Sequence, residues 1–395
     1  MGCQSISSTT TSATLLASNF SRTGYGFAGW SNKFDYATNP EQEGIKFYGP
    51  QEDITFTAGE YTGSNNGLAL YAVWVKSEGS IQNSTKVSEV CNRLTTAPTD
   101  GTANLSSVSA FTDSRDNNTY AIAKLADGNC WMIENLRLEA EDTRTPEKQA
   151  LAQGYGTSAT YGNFGGLAGA ESANFAESTT EYSLYYSGTQ SDDATINIGT
   201  TDYPGYRMPR YNNLNTPANA NDRPQNPTSN FFTDNNTTAG MYSYGNYYTW
   251  HAAMANTTHY DSPTATDADG KTSETVNTSL CPTGWRLPYG RNNGNGTMTG
   301  GFYNLNYTIN NDSNVTNSTA NLKLRSFPNN FLYSGYFVAS SVNYRGYSGS
   351  YWSSTSNNSS NSYYLSLSSP NVFPGTQNVY KYRGLSIRCT VSVGT

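Results

Sequence analysis

Tyr351-Trp352-Ser353-Ser354-Thr355, followed by Gly384-Leu385-Ser386-Ile387-Arg388-Cys389, frames a segment dominated by three residue types. More than half of the residues from 341 to 388 are Ser, Tyr or Asn. Tyrosine offers a rigid contact surface at low entropic cost, while Ser and Asn supply adaptable hydrogen bonds. A catalytic site would instead need titratable groups, which this segment almost lacks. The composition therefore indicates a binding surface similar in chemistry to an antibody paratope.

The segment also alternates in the manner of β-strands, whose successive side chains face opposite sides. We expect Leu365, Leu367, Trp352 and Ile387 to be buried and the positions between them to be exposed. The exposed positions should form one face that binds a ligand, in the first place a protein, because exposed tyrosines with few charges favour binding. The residues assigned to this face are Tyr344, Tyr347, Asn357, Asn358, Asn361, Tyr364, Ser366, Ser368, Asn371, Phe373, Asn378, Tyr380 and Tyr382.

The composition of the whole chain narrows its class. Its 395 residues suggest two domains, or one large domain with a small module. Only 13% of residues are charged, and 13% are aromatic, which favours packed β structure with many loops over disorder. The net charge of -7 and the lack of a basic stretch exclude nucleic acid as an expected partner. Asp312 is the last acidic residue, so the C-terminal segment is mildly positive.

The cysteines and the apolar stretches bear on location. No stretch is long enough to span a bilayer, and Ala13-Thr14-Leu15-Leu16-Ala17 is too short for a secretory leader. The sequence alone thus leaves a cytosolic protein or one whose leader was removed. Five widely spaced cysteines with only His251 and His259 make zinc an unlikely metal. Four cysteines could form two disulfides and leave Cys3 unpaired, or all five could be buried thiols.

A small first unit is predicted for residues 1–76, with its core at 19–76, and a polar linker for 77–85. Gly24-Tyr25-Gly26-Phe27-Ala28-Gly29-Trp30 and Leu70-Tyr71-Ala72-Val73-Trp74 have the aromatic patterns of short strands. These motifs resemble the Listeria–Bacteroides repeat, a β-grasp-like module that is a spacer or adhesive unit of secreted bacterial proteins. We expect Trp30 and Trp74 in the core of this module.

Residues 86–395 are predicted to form the larger domain. A hairpin should run from Ala110 to Leu125, and a helix should lie near 247–254. Residues 140–235 are low in aliphatic residues and rich in Gly, Thr, Asn and Pro, which indicates long surface insertions. Residues 291–320 are again rich in Asn, Gly and Thr.

Five motifs of this domain carry a second resemblance. They are D-G-N-C-W-M-x-E-N-L (127–136), Y-Y-T-W-x-A-A (247–253), C-P-T-G-W-R-L-P (281–288), Y-W-S-S-T (351–355) and G-L-S-I-R-C (384–389). In order and spacing they resemble the Fibrobacter-type major paralogous domain, whose fold is C-type-lectin-like, of the formylglycine-generating-enzyme branch. The resemblance implies an α+β, C-type-lectin-like ligand-binding domain with long loop insertions, preceded by the β-grasp-like module. It also implies two disulfides, Cys91–Cys130 and Cys281–Cys389.

Some members of this branch are similar to the variable proteins of diversity-generating retroelements. In those proteins a mutagenised template scatters AAC-type codons among Asn, Ser, Tyr, Asp, Thr and Phe. The segment at about 341–388 has this composition, so we expect it to be diversified. Polar β-strands of ordinary bacterial surface proteins can share the composition, which leaves a non-diversified adhesin as the alternative.

Two further functions are weighed against ligand binding. A formylglycine-generating enzyme uses paired cysteines, but Cys389 has no cysteine near it in the sequence and no Cys–His or Ser–His–Asp set is readable. A calcium-dependent lectin needs several oxygen ligands, which would have to come from Asp261, Asp267, Asp269 and Glu274. We therefore expect no enzyme activity and no cofactor, and leave structural calcium open. The expected protein is an extracellular or cell-surface monomer without a transmembrane segment, whose partner is a protein on another cell, a phage or a host.

Overall fold

The fold is described from a computed structural model of the chain. It describes residues 12–15, 22–40, 42–55, 69–115, 117–137, 160–161, 167–168, 173–175, 195–198, 201–204, 244–245, 247–248, 250–254, 279–290, 301–313, 315–338, 341–358, 361–381 and 383–392. Most of the predicted insertion at 140–235 lies outside these residues.

β-Strands make up most of the regular structure in the described residues. In chain order they are β1 (Ser12–Thr14), β2 (Tyr25–Ser31), β3 (Phe47–Tyr48), β4 (Asp53–Thr55), β5 (Tyr71–Lys76), β6 (Val108–Thr112), β7 (Thr119–Lys124), β8 (Cys130–Met132), β9 (Thr160–Tyr161), β10 (Leu167–Ala168), β11 (Ala173–Phe175), β12 (Thr195–Ile198), β13 (Thr201–Pro204), β14 (Ser279–Pro282), β15 (Tyr336–Val338), β16 (Ser341–Asn343), β17 (Ser348–Ser356), β18 (Asn361–Ser368), β19 (Asn371–Tyr380) and β20 (Thr390–Val391).

The helices are few and short. They are α1 (Ser84–Arg93), α2 (Trp250–Met254), α3 (Phe302–Ile309) and α4 (Ser318–Arg325), with a 3-10 turn at Leu105–Ser107. Asn83 caps α1, because its side chain accepts a hydrogen bond from the backbone N–H of Lys86. None of the helices described has the length and apolar character needed to cross a membrane. The described structure is α+β and mostly sheet, as predicted.

Two sheets organise the larger domain. One has the strand order β20-β8-β7-β6 and the other the order β17-β18-β19. The predicted hairpin is confirmed, because β6 and β7 pair antiparallel from Val108↔Ala123 to Thr112↔Thr119. The turn between them carries Asn117 with a φ of 59°, a left-handed conformation that asparagine tolerates well. The predicted helix near 247–254 is present as α2.

Two large hydrophobic clusters in the described residues lie on opposite faces of these sheets, and a small third one holds Leu15 and Ile54. On β7, Tyr120 and Ile122 belong to the first cluster, whereas Ala121 and Ala123 belong to the second. On β17, Trp352 belongs to the first and Tyr351 to the second. The tryptophans of four sequence motifs are buried; they are Trp131, Trp250, Trp285 and Trp352. Sheet strands therefore run through the core with both faces covered.

Two disulfides join distant parts of the larger domain. Cys91 of α1 is bonded to Cys130 of β8, and Cys281 of β14 is bonded to Cys389. Both pairings were predicted from the family resemblance and are confirmed. All four sulfur-bearing residues are in the first cluster, where the bonds link helix, sheet and the C-terminal strand. Cross-links of this kind stabilise a fold mainly by restricting the unfolded chain.

The predicted strands of the N-terminal module are present, but the module shares its core with the larger domain. β2 pairs with β5 and β3, and Ala28 and Val73 lie in the second cluster. A Cβ at Gly26 would be 2.3 Å from the backbone nitrogen of Ala121, so only glycine lets β2 lie this close to β7. Phe27 is buried, whereas Trp30 and Trp74 are half-buried. Trp30 packs against the small cluster of Leu15 and Ile54, so the prediction of a core position is met in part for Trp30 and is corrected for Trp74.

The connection at 77–85 is paired rather than free. The backbone N–H of Glu78 donates to the carbonyl of Ala110 at 2.9 Å, and that of Thr112 donates to Gly79 at 2.8 Å. These bonds lay the connection along the edge of β6. The chain from 77 onward is therefore part of the sheet edge, and the helix α1 begins before the predicted linker has ended.

The stretch 291–320, which is rich in Asn, Gly and Thr, supplies core residues in its described part. Helix α3 buries Phe302, Leu305 and Ile309 in the second cluster. Their spacing of three and four residues places them on one face of the helix. The many polar residues around them concealed this pattern in the sequence.

Candidate ligand-binding surface

The expected binding segment folds as the sheet of β17, β18 and β19. β18 pairs antiparallel with both neighbours, with Ser366 opposite Ser350 on one side and Phe373 on the other. The four predicted anchors are all buried, at 1% exposure or less; they are Trp352, Leu365, Leu367 and Ile387. The alternation of apolar and polar residues along β18 thus predicted correctly which side chains fix the sheet to the core.

None of the predicted binding residues that the structure describes is buried. Exposed fractions are 44% for Tyr344, 43% for Tyr347 and 47% for Tyr380. Other exposed positions are Asn358, Asn371 and Asn378. The half-buried positions are Asn357, Asn361, Tyr364, Ser366, Ser368 and Phe373. Tyr382 lies outside the described residues.

The predicted residues do not form a single face, and this part of the prediction is corrected. Tyr364, Ser366 and Ser368 are on the face of β18 opposite to Leu365 and Leu367. Asn361, in contrast, is four residues before Leu365 and therefore lies on the same face of β18 as Leu365. The β19 residues that pair with this end of β18 on that face lie beside it. That second group consists of Asn361, Asn378 and Tyr380.

The split has a physical cause in how the sheet meets the core. Near Leu367, the face of Leu365 covers the second cluster. At the other end, the opposite face packs against the first cluster through Val379 and Tyr364, while Asn378 and Tyr380 are exposed. The exposed side of the sheet therefore changes along its length. Assigning positions by residue type alone could not detect this change.

The hairpin before β17 presents two of the exposed tyrosines. β15 and β16 pair from Tyr336↔Asn343 to Val338↔Ser341, and a tight turn follows. In this turn the N–H groups of Tyr347 and Ser348 both donate to the carbonyl of Tyr344, at 3.0 and 2.9 Å. Tyr344 has a φ of 58°. Arg345 is buried within the turn, whereas Tyr344 and Tyr347 are exposed.

Tyr344 and Tyr364 are part of a cluster that we call the tyrosine–arginine patch, made of Tyr336, Tyr344, Tyr364, Gln377 and Arg383. The ring centroids of Tyr336 and Tyr344 are 5.8 Å apart, and the Arg383 guanidinium carbon is 5.1 Å from the Tyr336 centroid. The Tyr364 hydroxyl donates to Oε1 of Gln377 at 3.2 Å. The patch joins residues of β15, of the turn after β16, of β18, of β19 and of the chain after β19.

Electrostatics within the patch agree with this arrangement. Burial raises the pKa of Tyr364, although a hydrogen bond with Ser366 and the charge of Arg383 act in the opposite direction. Burial likewise raises the pKa of Tyr336, again against the effect of Arg383. Both hydroxyls therefore stay protonated at neutral pH. The Tyr364 hydroxyl donates to Gln377, so the Tyr336 hydroxyl is the one that can donate to a ligand.

Sequence reasoning missed three members of the patch, namely Tyr336, Gln377 and Arg383. Tyr336 precedes the Ser- and Asn-rich segment, but Tyr336-Phe337-Val338 has the aromatic and β-branched composition of a strand. That run could have been paired with 341–343 as a hairpin. Arg383 was visible as one of the few charges in the segment. No sequence signal brings it beside Tyr336.

The described residues offer few groups for the two alternative functions, calcium-dependent binding and paired-cysteine catalysis. No group of three or more His, Cys, Asp or Glu in the described part of the chain could hold a metal ion. The predicted calcium ligands Asp261, Asp267, Asp269 and Glu274 lie outside it, as does His259. His251 is in α2. Cys281 and Cys389, which paired-cysteine chemistry would need, are bonded to each other and buried.

Comparisons with known proteins give no assignment. No protein-family model, no curated protein and no solved structure matches the chain. The site must therefore be interpreted from its own residues.

Proposed function

We propose that the chain is a non-enzymatic ligand-binding protein whose lectin-like C-terminal domain recognises proteins. The contact would be made by the tyrosine-rich surface, which comprises Tyr344, Tyr347, Tyr364 and Tyr380. Its fold would be C-type-lectin-like, and its place extracellular or on a cell surface. The segment at about 341–388 would be diversified by a diversity-generating retroelement.

One observation carries the proposal. Large exposed hydrophobic side chains are few in the described residues, and three of the five are tyrosines of the segment, Tyr344, Tyr347 and Tyr380. Exposed aromatic groups are costly in water unless they serve contact with a partner. Tyrosine is also enriched among the residues that dominate binding energy.

The separation of scaffold and surface supports diversification. The anchors Trp352, Leu365 and Leu367 are buried, whereas every described position assigned to variation is exposed or half-buried. Substitutions at exposed positions usually change stability by less than about 0.5 kcal/mol. A process that changes only such positions can alter the ligand and keep the fold.

The two disulfides support an extracellular place, because such bonds persist in oxidising compartments and are rare in the cytosol. The low content of charged groups in the segment supports binding over catalysis.

Diversification is tested in the genome. We expect a reverse-transcriptase gene near the coding sequence, together with a second copy of the segment that differs from it at adenines of the assigned codons. A genome that holds neither would reject diversification and leave an adhesin of fixed specificity.

Binding is tested with a yeast-displayed library randomised at Tyr344, Tyr347, Tyr364 and Tyr380, and a matched library randomised at Trp352, Leu365, Leu367 and Ile387. Most members of the first library should stay displayed and protease-resistant, and sorting against purified lysozyme should yield binders. Most members of the second should lose display. Equal loss of display in both libraries would show that the tyrosines serve the fold, and a first library without binders would speak against recognition.

A further inference from the structure

Some buried cations of the larger domain are paired with carboxylates, whereas the buried Arg388 donates to Asn135 and to backbone carbonyls, and the half-buried Arg383 lies on a tyrosine ring. Arg137 is paired with Glu134 at 3.0 Å, Arg115 with Asp113 at 2.6 Å and Arg325 with Asp53 at 2.8 Å. Arg383 makes no ion pair with any carboxylate that the structure describes, and its buried Nε atom has no hydrogen-bond partner there.

The described contacts of Arg383 are with tyrosine side chains. Its guanidinium lies over the ring of Tyr336, and the ring of Tyr344 is tilted against that of Tyr336. Tyr364 is close enough for the charge of Arg383 to affect its pKa. The sequence has no Asp or Glu after Asp312, so the segment itself offers no carboxylate to neutralise the charge. A guanidinium on an aromatic ring is weakly hydrated and presents a rigid fork of donors that matches a carboxylate.

We propose that the tyrosine–arginine patch is a receptor for an acidic side chain of a protein partner, with the Arg383 guanidinium as its charged contact. The carboxylate would take N–H donors from Arg383, and the hydroxyl of Tyr336 would supply a further donor. The rings of Tyr336 and Tyr344 would cover the methylene groups of the same Asp or Glu. The inference rests on the proposed function, since it names the chemistry that the same surface selects.

Arg383 would select an acidic residue by direct contact and not by long-range attraction. The protein as a whole carries a net charge of -7, so an acidic partner gains nothing from long-range attraction. The preference must come from direct contact with one guanidinium in a half-buried site. There a charge-assisted hydrogen bond is stronger than in water.

The test uses a phage-displayed library of random linear peptides, panned on the whole protein. Peptides enriched by the wild type are synthesised with an amidated C-terminus, which leaves acidic side chains as the source of carboxylates. Their dissociation constants are measured against the wild type and against Arg383→Gln, Arg383→Lys and Arg22→Gln. Arg22 is the matched control, because it is an exposed arginine 3.8 Å from the centroid of the Tyr25 ring in the module.

We expect enriched peptides with an excess of Asp or Glu next to an apolar residue. Arg383→Gln should weaken them about 30-fold or more, because a half-buried charged contact loses its partner. Arg383→Lys should weaken them less, since it keeps the charge but loses the fork, and Arg22→Gln should have no effect. Replacing the acidic residue of the peptide by its amide should reproduce the loss.

Two outcomes overturn the inference and can be told apart. Peptides that depend on Tyr344 and Tyr364 but show no acidic excess, or that bind Arg383→Gln equally well, refute the role of Arg383 and leave the binding function intact. A library from which no peptide dependent on Tyr344 or Tyr364 emerges refutes the inference together with the recognition surface. Thermal unfolding at the wild-type temperature shows that each variant is folded.

Discussion

Replacing Glu134 by Gln tests whether the N-terminal module is bonded into the larger domain. The Glu134 carboxylate is buried and accepts three hydrogen bonds. Oε2 accepts the backbone N–H of Phe27, in β2, at 3.1 Å and that of Ala121, in β7, at 2.7 Å. Oε1 accepts from Nη1 of Arg137 at 3.0 Å. Because all the neighbours are donors, only an ionised carboxylate satisfies them together.

The magnitude follows from this geometry. A glutamine amide has nearly the same shape but carries one acceptor and one donating NH2 group. Whichever way it is turned, its NH2 group faces either the two backbone N–H groups or Arg137. Removing one partner of a buried ion pair costs about 3–5 kcal/mol, since the remaining groups stay buried. We therefore expect Glu134→Gln to lower the free energy of unfolding by about 3 kcal/mol or more, a large part of the 5–15 kcal/mol of a typical domain.

The assay is urea unfolding with the disulfides intact, followed by tryptophan fluorescence. Glu89→Gln is the matched control, because Glu89 forms an exposed pair with Lys86 at 2.9 Å. That variant should change the free energy by less than about 0.5 kcal/mol. If the two variants lost equal stability, the carboxylate of Glu134 would not hold β2 against β7, and the module would be better described as an appended unit.

Further predictions concern cross-linking, pH and the anchors. Replacing Cys281 and Cys389 together by Ala should cost about 2–5 kcal/mol in the same urea assay, and full stability of that variant would contradict the role of the bond. Burial raises the pKa of Asp127 from 3.8 to about 6, so the folded state keeps a proton that the unfolded chain loses, and stability should fall between about pH 4 and pH 6. Asp127→Asn should flatten this fall in urea midpoints, and an unchanged slope would refute it. Trp352→Ala should cost about 3–5 kcal/mol, whereas Tyr347→Ser should cost less than about 0.5 kcal/mol; similar losses would argue against the division of anchor and surface.

The sequence predicted local features of the fold well. Alternation along 361–368 identified Leu365 and Leu367 as buried, and the turn residues after Asp113 identified a hairpin. Both features depend on neighbours in the chain, whose effects a pattern records directly. The disulfide partners came from the family resemblance, since spacing leaves several pairings open.

Long-range features were not predictable in the same way. Two contacts join segments far apart in sequence: Gly26 lies against Ala121, and the backbone N–H of Phe27 donates a hydrogen bond to Glu134. Neither residue type announces such a contact, because glycine is also common in turns and glutamate on surfaces. The tyrosine–arginine patch is similar, since Tyr336 and Arg383 meet only after three strands have paired.

The buried cations also affect the net charge of the protein surface. Arg115, Arg137, Arg325, Arg345, Arg388 and Lys381 are buried, whereas Asp113 and Glu134 are the carboxylate residues that are similarly buried in the described part of the chain. More positive than negative charge is thus withdrawn from solvent there, so the exposed residues of this part of the chain are more acidic than its full set of residues. Two copies that approach within about 10 Å at 0.1 M salt should repel each other, and this repulsion should weaken as ionic strength rises.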